Sequence, residues 1–224
     1  AHKPANLTHV QAAAVPLAAL TAWQALFERG QLQSGQKVLI HAGLGGVGSF
    51  AIQLARHAGA TVATTVGQRN LAVAQSLGAN VAIDYRSQRF DELVSSYDLV
   101  LDTQGGDIQA RSFRVLRPGG RLVTVVGMPD RAFAKAMGLP APLGWLFHWM
   151  NRNQRAMAQR SGTNFDYLFM RPCGKQLAQI ADLIAQDVVK PVLDQVFPLA
   201  HAGAALAYSA TGRASGKVVV EVAA

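Results

Sequence analysis

Cysteine is almost absent from this 224-residue chain, which contains only Cys173. One cysteine cannot close a disulfide within the chain or build a cysteine-rich zinc module, and it is consistent with a reducing compartment. We therefore expect a cytoplasmic protein. Cys173 precedes a predicted helix and lies near Arg171 and Lys175, but no histidine is close to it in the sequence. We interpret it as an ordinary thiol rather than a nucleophile.

Apolar runs of membrane-spanning length are also missing. The most apolar stretch, residues 132–150, contains Lys135, His148 and two prolines, whereas a membrane span needs roughly 18 uninterrupted apolar residues. The sequence does not open on a basic segment followed by an apolar one, so we expect no secretory signal. We interpret 132–150 as an excursion that covers a pocket or a partner surface.

Acidic residues are scarce in one segment, and this scarcity accounts for the net charge of +8. Residues 111–175 contain 11 basic and 2 acidic residues, and the remainder of the chain is close to neutral. A basic patch can bind nucleic acid or an anionic surface. Because no nucleic-acid module with interleaved aromatic residues accompanies this patch, we favour a solvated face and expect no nucleic-acid partner.

From Lys37 onward, short apolar runs alternate with amphipathic stretches. The runs are KVLIHA, TVATTV, VAIDY, DLVLDT and GRLVTVVG. Continuous apolar runs are typical of parallel strands that are buried on both faces. The alternation predicts an α/β fold, a doubly wound parallel sheet of the Rossmann type with about six or more strands and the strand Val38 to Ile40 near its centre.

Residues 1–36 form a predicted helical lead-in to this sheet. Thr8 and Gln11 have the spacing of a capping box, Pro16 suits the first turn of a second helix, and Gly30 suits its end. We expect residues 37–224 to form the dinucleotide-binding domain, with an irregular excursion at about 128–163. The segments FDYLFM, PVLDQVF and KVVVEV continue the alternation after it.

The first strand leads into a glycine-rich loop. Gly43, Gly45 and Gly48 satisfy the pattern G-x-G-x-x-G, and Gly46 adds another small residue. A strand before this pattern and an amphipathic helix after it are the context in which backbone N–H groups bind a pyrophosphate. The alternative is a tight strand-to-helix turn that needs glycine only for its geometry.

Where the second strand ends, an acidic residue is missing. NAD-binding folds place Asp or Glu at this point to bind the ribose 2′-hydroxyl, but no acid occurs between Glu28 and Asp84. Arg69 stands there instead, within TVGQRN. A cation in place of a carboxylate favours a 2′-phosphate, and hence NADP(H). The alternative is an arginine at a helix start that faces water.

Eight segments carry a family resemblance along nearly the whole chain: AAAVPLAALTAWQAL, GQKVLIHAGLGGVG, LGANVAIDYR, YDLVLDTQGG, LRPGGRLVTVVG, YLFMRPCGKQL, PVLDQVFPL and GRASGKVVVEV. The sequence resembles the medium-chain dehydrogenase/reductase superfamily, within it the zinc-independent quinone oxidoreductase-like enzymes. Residues 128–163 match least. Family members begin with a chaperonin-10-like domain, so the resemblance implies that residues 1–36 join such a domain and that this chain is the cofactor part of a longer enzyme.

The resemblance also implies cofactor contacts, position by position. It places Gly45, Gly46 and Val47 at the pyrophosphate, and Gly67, Arg69 and Tyr85 around the adenosine 2′-phosphate. It places Thr21, Val126 and Gly127 at the nicotinamide, with Phe169 as a weaker candidate there, and Arg213 as a basic contact near the C-terminus. Without the resemblance, Tyr85 is equally a rim tyrosine and Arg213 a solvated turn residue.

Leu17 occupies the place of a metal-binding cysteine in the zinc-dependent relatives, so we expect no catalytic zinc. We interpret Asp84 and Asp98 as solvated turn carboxylates and Asp102 as a candidate cleft residue, and we assign no catalytic residue. The expected function is NADPH-dependent hydride transfer to a quinone or to an activated carbon–carbon double bond of an enone or enal. The resemblance implies a homodimer joined at the sheet edge. The alternative is a non-catalytic module that senses NADPH or binds RNA.

Overall fold

Strands and helices alternate along the part of the chain that the computed structural model describes, residues 1–222. The strands are β1 Lys37–Ile40, β2 Thr61–Val66, β3 Val81–Asp84, β4 Tyr97–Asp102, β5 Leu116–Thr124, β6 Asn164–Tyr167, β7 Leu193–Pro198 and β8 Lys217–Glu221. The helices are α1 His9–Ala13, α2 Pro16–Trp23, α3 Gly46–His57, α4 Leu71–Ser76, α5 Phe90–Leu93, α6 Gly106–Val115, α7 Arg131–Ala136, α8 Ala141–Met150, α9 Arg152–Arg160, α10 Gly174–Ala185 and α11 Ala202–Ala210.

Strands β1 to β6 form one parallel sheet in the order β3-β2-β1-β4-β5-β6. The doubly wound prediction is therefore confirmed, with β1 in an interior position. The strand order reverses at β1, since β2 lies on one side of it and β4 on the other. In open α/β sheets a ligand binds at the carboxyl ends of the strands beside such a reversal.

Both faces of this sheet are buried, as the continuous apolar runs predict. Val38 and Ile40 of β1 belong to one core cluster, and Leu39 between them belongs to another. All three side chains are fully buried. Successive side chains of a strand point to opposite faces, so β1 anchors the helix layers on both sides of the sheet.

The helical lead-in has the predicted start. Thr8 and Gln11 form a complete capping box at α1, and Pro16 opens α2. The chain continues from α2 as a π-helix, Gln24–Arg29, which ends at Gly30. Gly30 has an ordinary right-handed φ of −71°, and a Cβ there would lie 2.6 Å from the Leu26 oxygen. Glycine is required at this position by close packing rather than by a left-handed cap.

Two expectations need correction. The segment 128–163 is not irregular, because α7, α8 and α9 occupy most of it. The apolar residues of α8 do not form one buried face, since Trp145 and Trp149 are exposed, and this explains why periodicity does not reveal that helix. The second correction concerns β7 and β8, which continue the alternation but pair with each other in a separate parallel sheet.

None of the helices in residues 1–222 combines the length and the apolar composition that a membrane-spanning helix requires.

Candidate dinucleotide site

The loop after β1 is packed so closely that side chains are excluded from it. A Cβ at Gly48 would lie 2.3 Å from the Ala42 oxygen and 2.8 Å from the Cα of Gly43. A Cβ at Gly43 would lie 2.0 Å from Thr64 Oγ1. Gly45 is less confined, with 3.1 Å to the Ala42 oxygen. Gly43 and Gly48 therefore cannot be replaced by a residue with a Cβ, and this loop, called the cradle below, has the close-packed glycine backbone that pyrophosphate-binding turns share.

The amino end of α3 faces this cradle. Gly45 is its N-cap and has no side chain to bond the first free N–H groups of the helix. Such N–H groups, together with the helix dipole, favour an anion. Val47 is half-buried and packs partly on the core, so at this position the backbone rather than the side chain is available to a ligand.

Lys217 brings a cation to the same helix end. Its Cδ and Nζ lie 2.7 and 3.5 Å from the place that a Cβ of Gly46 would occupy. Lys217 begins β8, and its backbone N–H donates to the Val192 oxygen at 2.8 Å. An ammonium group beside free helix N–H groups would strengthen binding of a phosphate.

Arg69 and Arg213 meet at the end of β2. Arg69 lies in a 3₁₀ turn, Gln68–Asn70, and its Nη2 donates to the Arg213 oxygen at 3.1 Å. Asn70 fixes the same contact, because its Nδ2 donates to Ser215 Oγ at 2.8 Å. The segment after β2 and the loop before β8 thus form one wall with two exposed arginine side chains.

Tyr85 completes this wall on the β3 side. Its Cε1 lies 3.9 Å from the place of a Cβ on Gly67, and its backbone N–H donates to the Val66 oxygen at 3.1 Å. The ring is exposed, and the guanidinium of Arg86 lies 5.7 Å from its centre. The structure therefore gathers Gly67, Arg69, Tyr85 and Arg213 at one end of the site.

The other predicted contacts lie at the ends of later elements. Val126 and Gly127 follow β5, and Gly127 has a left-handed φ of +95°. Phe169 follows β6, is exposed, and lies 5.1 Å from the ring of Phe133 in α7. Since β5 and β6 are parallel neighbours, these residues share one edge of the sheet. Thr21 is buried in α2, where its hydroxyl donates to the Leu17 oxygen at 2.7 Å.

Asp102 is a fully buried structural carboxylate rather than a free cleft residue. Its Oδ1 accepts hydrogen bonds at 2.9 Å from the backbone N–H groups of Gln104 and Gly105. Its Oδ2 accepts from Gln109 Nε2 at 2.7 Å and from Thr124 Oγ1 at 3.0 Å. The carboxylate therefore joins the end of β4, the start of α6 and the end of β5.

Asp84 and Asp98 are not solvated either. Asp84 is buried and accepts from Ser87 Oγ at 2.8 Å and from the Arg86 backbone N–H at 3.1 Å. Asp98 is bonded at 2.5 Å to Arg117 Nε and at 2.8 Å to the Lys37 backbone N–H. Asp84 thus stabilises its own turn, whereas Asp98 of β4 links the starts of the neighbouring strands β1 and β5. The position of these residues at strand edges in the sequence did not predict either role.

His41, directly after β1, was not predicted from the sequence as part of the site. Its side chain is buried between Thr65 Oγ1, 3.1 Å from Nδ1, and Ser112 Oγ, 2.9 Å from Nε2. Burial lowers the pKa of His41 from its usual 6.5 to about 4, and Arg111 adds to this effect against an opposing effect of Asp102. The imidazole is therefore neutral at pH 7.

Three further polar residues of the site were not predicted from the sequence: Lys217, Asn70 and Ser215. No local pattern marks them, because each acts across a contact between the C-terminal loop and the β1–β2 region. The block GRASGK contains Lys217 and Ser215, so a test of every polar residue in that block would have found both.

Cys173 is half-buried at the N-cap of α10. A backbone hydrogen bond from Gln176 and the neighbouring Arg171 hold the pKa of the thiol below its usual value. Within residues 1–222, no side-chain hydrogen bond joins Cys173 to the residues of the candidate dinucleotide site. Its interpretation as an ordinary thiol stays a prediction.

Across residues 1–222, no three or more His, Cys, Asp or Glu side chains are grouped so that they could hold a metal ion. Leu17, which the resemblance aligns with a zinc ligand of the zinc-dependent relatives, is exposed, and a leucine side chain cannot bind a metal.

A sequence model of a family described as zinc-binding dehydrogenase matches residues 77–220. Human NAD(P)H oxidoreductase RTN4IP1, mitochondrial, is 33% identical over 231 residues, which cover 99% of this chain and 58% of that protein. NADPH-dependent alkenal/one oxidoreductase, chloroplastic, of Arabidopsis thaliana is 33% identical, with 97% and 48% covered. The chain thus spans about half to three-fifths of the length of these relatives.

Solved structures show the same fold. The quinone oxidoreductase from Coxiella burnetii superimposes with a TM-score of 0.85 and 31% identity, covering all of this chain and 64% of that one. The quinone oxidoreductase from Thermus thermophilus, described together with its complex with NADPH, gives a TM-score of 0.75 and 28% identity, covering 98% and 68%.

Proposed function

Because the chain belongs to the zinc-binding dehydrogenase family of the medium-chain dehydrogenase/reductase superfamily, we propose that it is the NADP(H)-binding part of an oxidoreductase. One observation carries the choice of cofactor. Arg69 and Arg213 lie together at the end of β2, where an NAD-binding fold has an acid. The Arg69 guanidinium lies at this point, and the exposed Arg213 side chain adds positive charge to the same wall. Such a wall would bind a 2′-phosphate, which NADPH has and NADH lacks.

The fit to a dinucleotide rests on the cradle after β1. Gly43 and Gly48 have no room for a Cβ, as in the glycine turns that let a pyrophosphate approach the backbone closely. We assign Gly45, Gly46 and Val47 to the pyrophosphate through their backbone, with the Lys217 ammonium beside them. The adenosine end would be bound by Gly67, Arg69, Tyr85 and Arg213, with Asn70 and Ser215 holding the wall together.

When bound, NADPH supplies the hydride, and the protein orients the reactants and excludes water. We assign the nicotinamide to Val126, Gly127, Thr21 and Phe169. Thr124 supports the turn after β5, since its Oγ1 accepts from the Val126 N–H at 3.2 Å and donates to buried Asp102. Phe169 and Phe133 present an aromatic surface beside this turn, which would favour a planar, apolar acceptor.

The proposed acceptor is a quinone or the activated double bond of an enone or enal. The Coxiella and Thermus relatives support the first class by their names, and the Arabidopsis relative supports the second. We further propose a homodimer in which β6, an edge strand of the six-stranded sheet, pairs with its copy. The compartment stays a prediction of cytoplasm, although relatives carry mitochondrial and chloroplastic names.

The test is a fluorescence titration of the chain with NADPH and NADH, followed by NADPH oxidation assays with quinones, enals and enones. We expect the chain to bind NADPH, and the full-length protein that contains it to oxidise NADPH with at least one acceptor class. The chain alone should turn over slowly, because the described residues provide the cofactor side of a cleft. Absence of NADPH binding would reject the proposal. Binding without turnover by the full-length protein would favour the non-catalytic NADPH sensor.

A further inference from the structure

Ala42 has an unusual backbone conformation at the start of the glycine-rich loop. Its φ of +51° lies in the left-handed region, which residues with a Cβ rarely adopt. Its oxygen accepts the Gly45 N–H at 2.8 Å and is the atom that a Cβ on Gly48 would meet first. The orientation of the Ala42 peptide therefore sets the position of the whole loop.

Thr65 of β2 holds Ala42 in this conformation. Its Oγ1 accepts the Ala42 N–H at 3.2 Å, and its backbone oxygen accepts the Gly43 N–H at 3.0 Å. Thr65 is buried in the interior of the sheet, so neither contact competes freely with water.

The hydroxyl of Thr65 is oriented by His41. Ser112 Oγ donates its proton to the Ile108 oxygen at 2.7 Å, so it accepts the hydrogen bond from His41 Nε2. This places the imidazole proton on Nε2 and leaves Nδ1 as an acceptor. The Thr65 hydroxyl then donates to Nδ1 and keeps its lone pairs for the Ala42 N–H.

We propose that His41 and Thr65 are positioning residues for the dinucleotide loop, acting by holding Ala42 in its left-handed conformation. The chain of hydrogen bonds runs from Ala42 through Thr65 and His41 to Ser112 in α6. It links the end of β1, β2 and α6 to a single peptide of the loop. The inference rests on the proposed function wherever cofactor affinity is the measurement, and it stands alone where loop order is measured.

The surroundings of His41 keep the ring neutral, as the chain of hydrogen bonds requires. Burial favours the neutral ring most strongly, and the positive charge of Arg111 in α6 adds to this effect, whereas the negative charge of Asp102 in β4 raises the pKa of His41. Arg111 is itself paired with Asp91 of α5, and the ring of Phe90 packs edge-on against His41 with centres 4.7 Å apart. Protonation of the ring would turn Nδ1, which now accepts the hydrogen bond from the Thr65 hydroxyl, into a donor.

The principal test compares Thr65→Val with Thr65→Ser. Valine replaces the hydroxyl with a methyl group of similar size, whereas serine keeps the hydroxyl and removes the methyl group. We expect Thr65→Val to raise the Kd of both NADPH and NADH by about 5- to 30-fold, the left-handed penalty of about 1–2 kcal/mol at 1.36 kcal/mol per factor of ten. Thr65→Ser should restore most of the affinity. Thr61→Val, exposed at the start of the same strand, serves as the control.

A second variant separates positioning from packing. Glycine adopts φ near +50° without strain, so Ala42→Gly in the Thr65→Val background should recover most of the lost affinity. An undiminished loss in the double variant would overturn the proposal, because it would show that the hydroxyl acts elsewhere.

Amide hydrogen exchange provides a readout that needs no cofactor. The Gly45 N–H, bonded to the Ala42 oxygen, should exchange faster in Thr65→Val and in His41→Leu than in the parent chain and in Thr65→Ser. Unchanged exchange would overturn the proposal. If no variant, nor the parent, binds NADPH while exchange responds as expected, the proposed function fails and the positioning role stands.

Discussion

Arg69 Nη2 donates a hydrogen bond to the backbone oxygen of Arg213 at 3.1 Å, although 144 residues separate the two along the chain. The bond uses the backbone of Arg213, so its guanidinium group stays unengaged by this contact, and both arginine residues are exposed. In the proposed function, the positive charge of this wall attracts the 2′-phosphate that distinguishes NADPH from NADH.

Arg69→Ala should weaken NADPH binding about 10- to 150-fold and leave NADH binding nearly unchanged. A hydrogen bond to a charged group contributes about 1.5–3 kcal/mol. NADH has no 2′-phosphate, so it makes no such bond with Arg69 and loses nothing when the arginine is removed. Fluorescence titration with both cofactors measures the effect. Arg160→Ala, an exposed arginine at the end of α9, is the matched control. Equal loss for both cofactors would contradict the assignment.

Lys217→Ala should weaken the binding of NADPH and of NADH by similar factors, roughly tenfold or more, because both cofactors contain the pyrophosphate. Lys217→Arg keeps the positive charge near Gly46 and should recover much of the affinity. Lys190→Ala removes a lysine whose exposed side chain pairs with Asp187 and should have no effect. A loss confined to NADPH would place Lys217 at the 2′-phosphate instead.

Gly48→Ala should destabilise the fold and abolish cofactor binding. The added Cβ would stand 2.3 Å from a backbone oxygen, which cannot move aside as a flexible side chain does. We expect a loss of about 3 kcal/mol or more in the free energy of unfolding. Gly203→Ala in α11 meets no atom within 4 Å and should be neutral or more stable by about 0.5–1 kcal/mol. Denaturant unfolding of both variants makes the comparison, and equal stability of the two would contradict it.

Sequence patterns were sufficient for the parts of the fold that depend on local periodicity and on buried strands. The apolar runs predicted β1 to β5, and the capping box of Thr8 and Gln11 predicted the start of α1. The glycine pattern predicted the loop because a cradle of backbone leaves no alternative to glycine at Gly43 and Gly48.

The remaining features depend on contacts between distant segments, which single-sequence patterns do not encode. Lys217 reaches Gly46 only after the chain has folded back along α11. The pairing of β7 with β8 cannot be distinguished by composition from addition to the main sheet. His41 is one polar residue in an apolar context, and only the positions of Thr65 and Ser112 give it a role.

The buried ring of His41 makes the stability of the fold depend on pH. The folded chain holds the pKa of His41 at about 4, below the usual 6.5 of an unfolded chain. Between these values the unfolded chain binds a proton that the folded chain does not, so folding stability falls as the pH falls. The stability that the neutral His41 ring gives to the folded state is fully present above about pH 6.5 and is lost by about pH 4. The total loss in the free energy of unfolding is about 3 kcal/mol.

His41→Asn removes the titrating ring, and its amide oxygen can still accept from Thr65. The variant should therefore be less stable than the parent at pH 7, since it loses the bond to Ser112, and the difference should shrink or reverse as the pH approaches about 4.5. Carboxylates such as Asp91, whose pKa the Arg111 hydrogen bond lowers from 3.8, lose their contribution only at still lower pH. Denaturant unfolding of both proteins at several pH values isolates the histidine. A stability difference that stays constant from pH 7 to about 4.5 would mean that the ring takes up its proton in the folded state as readily as in the unfolded chain.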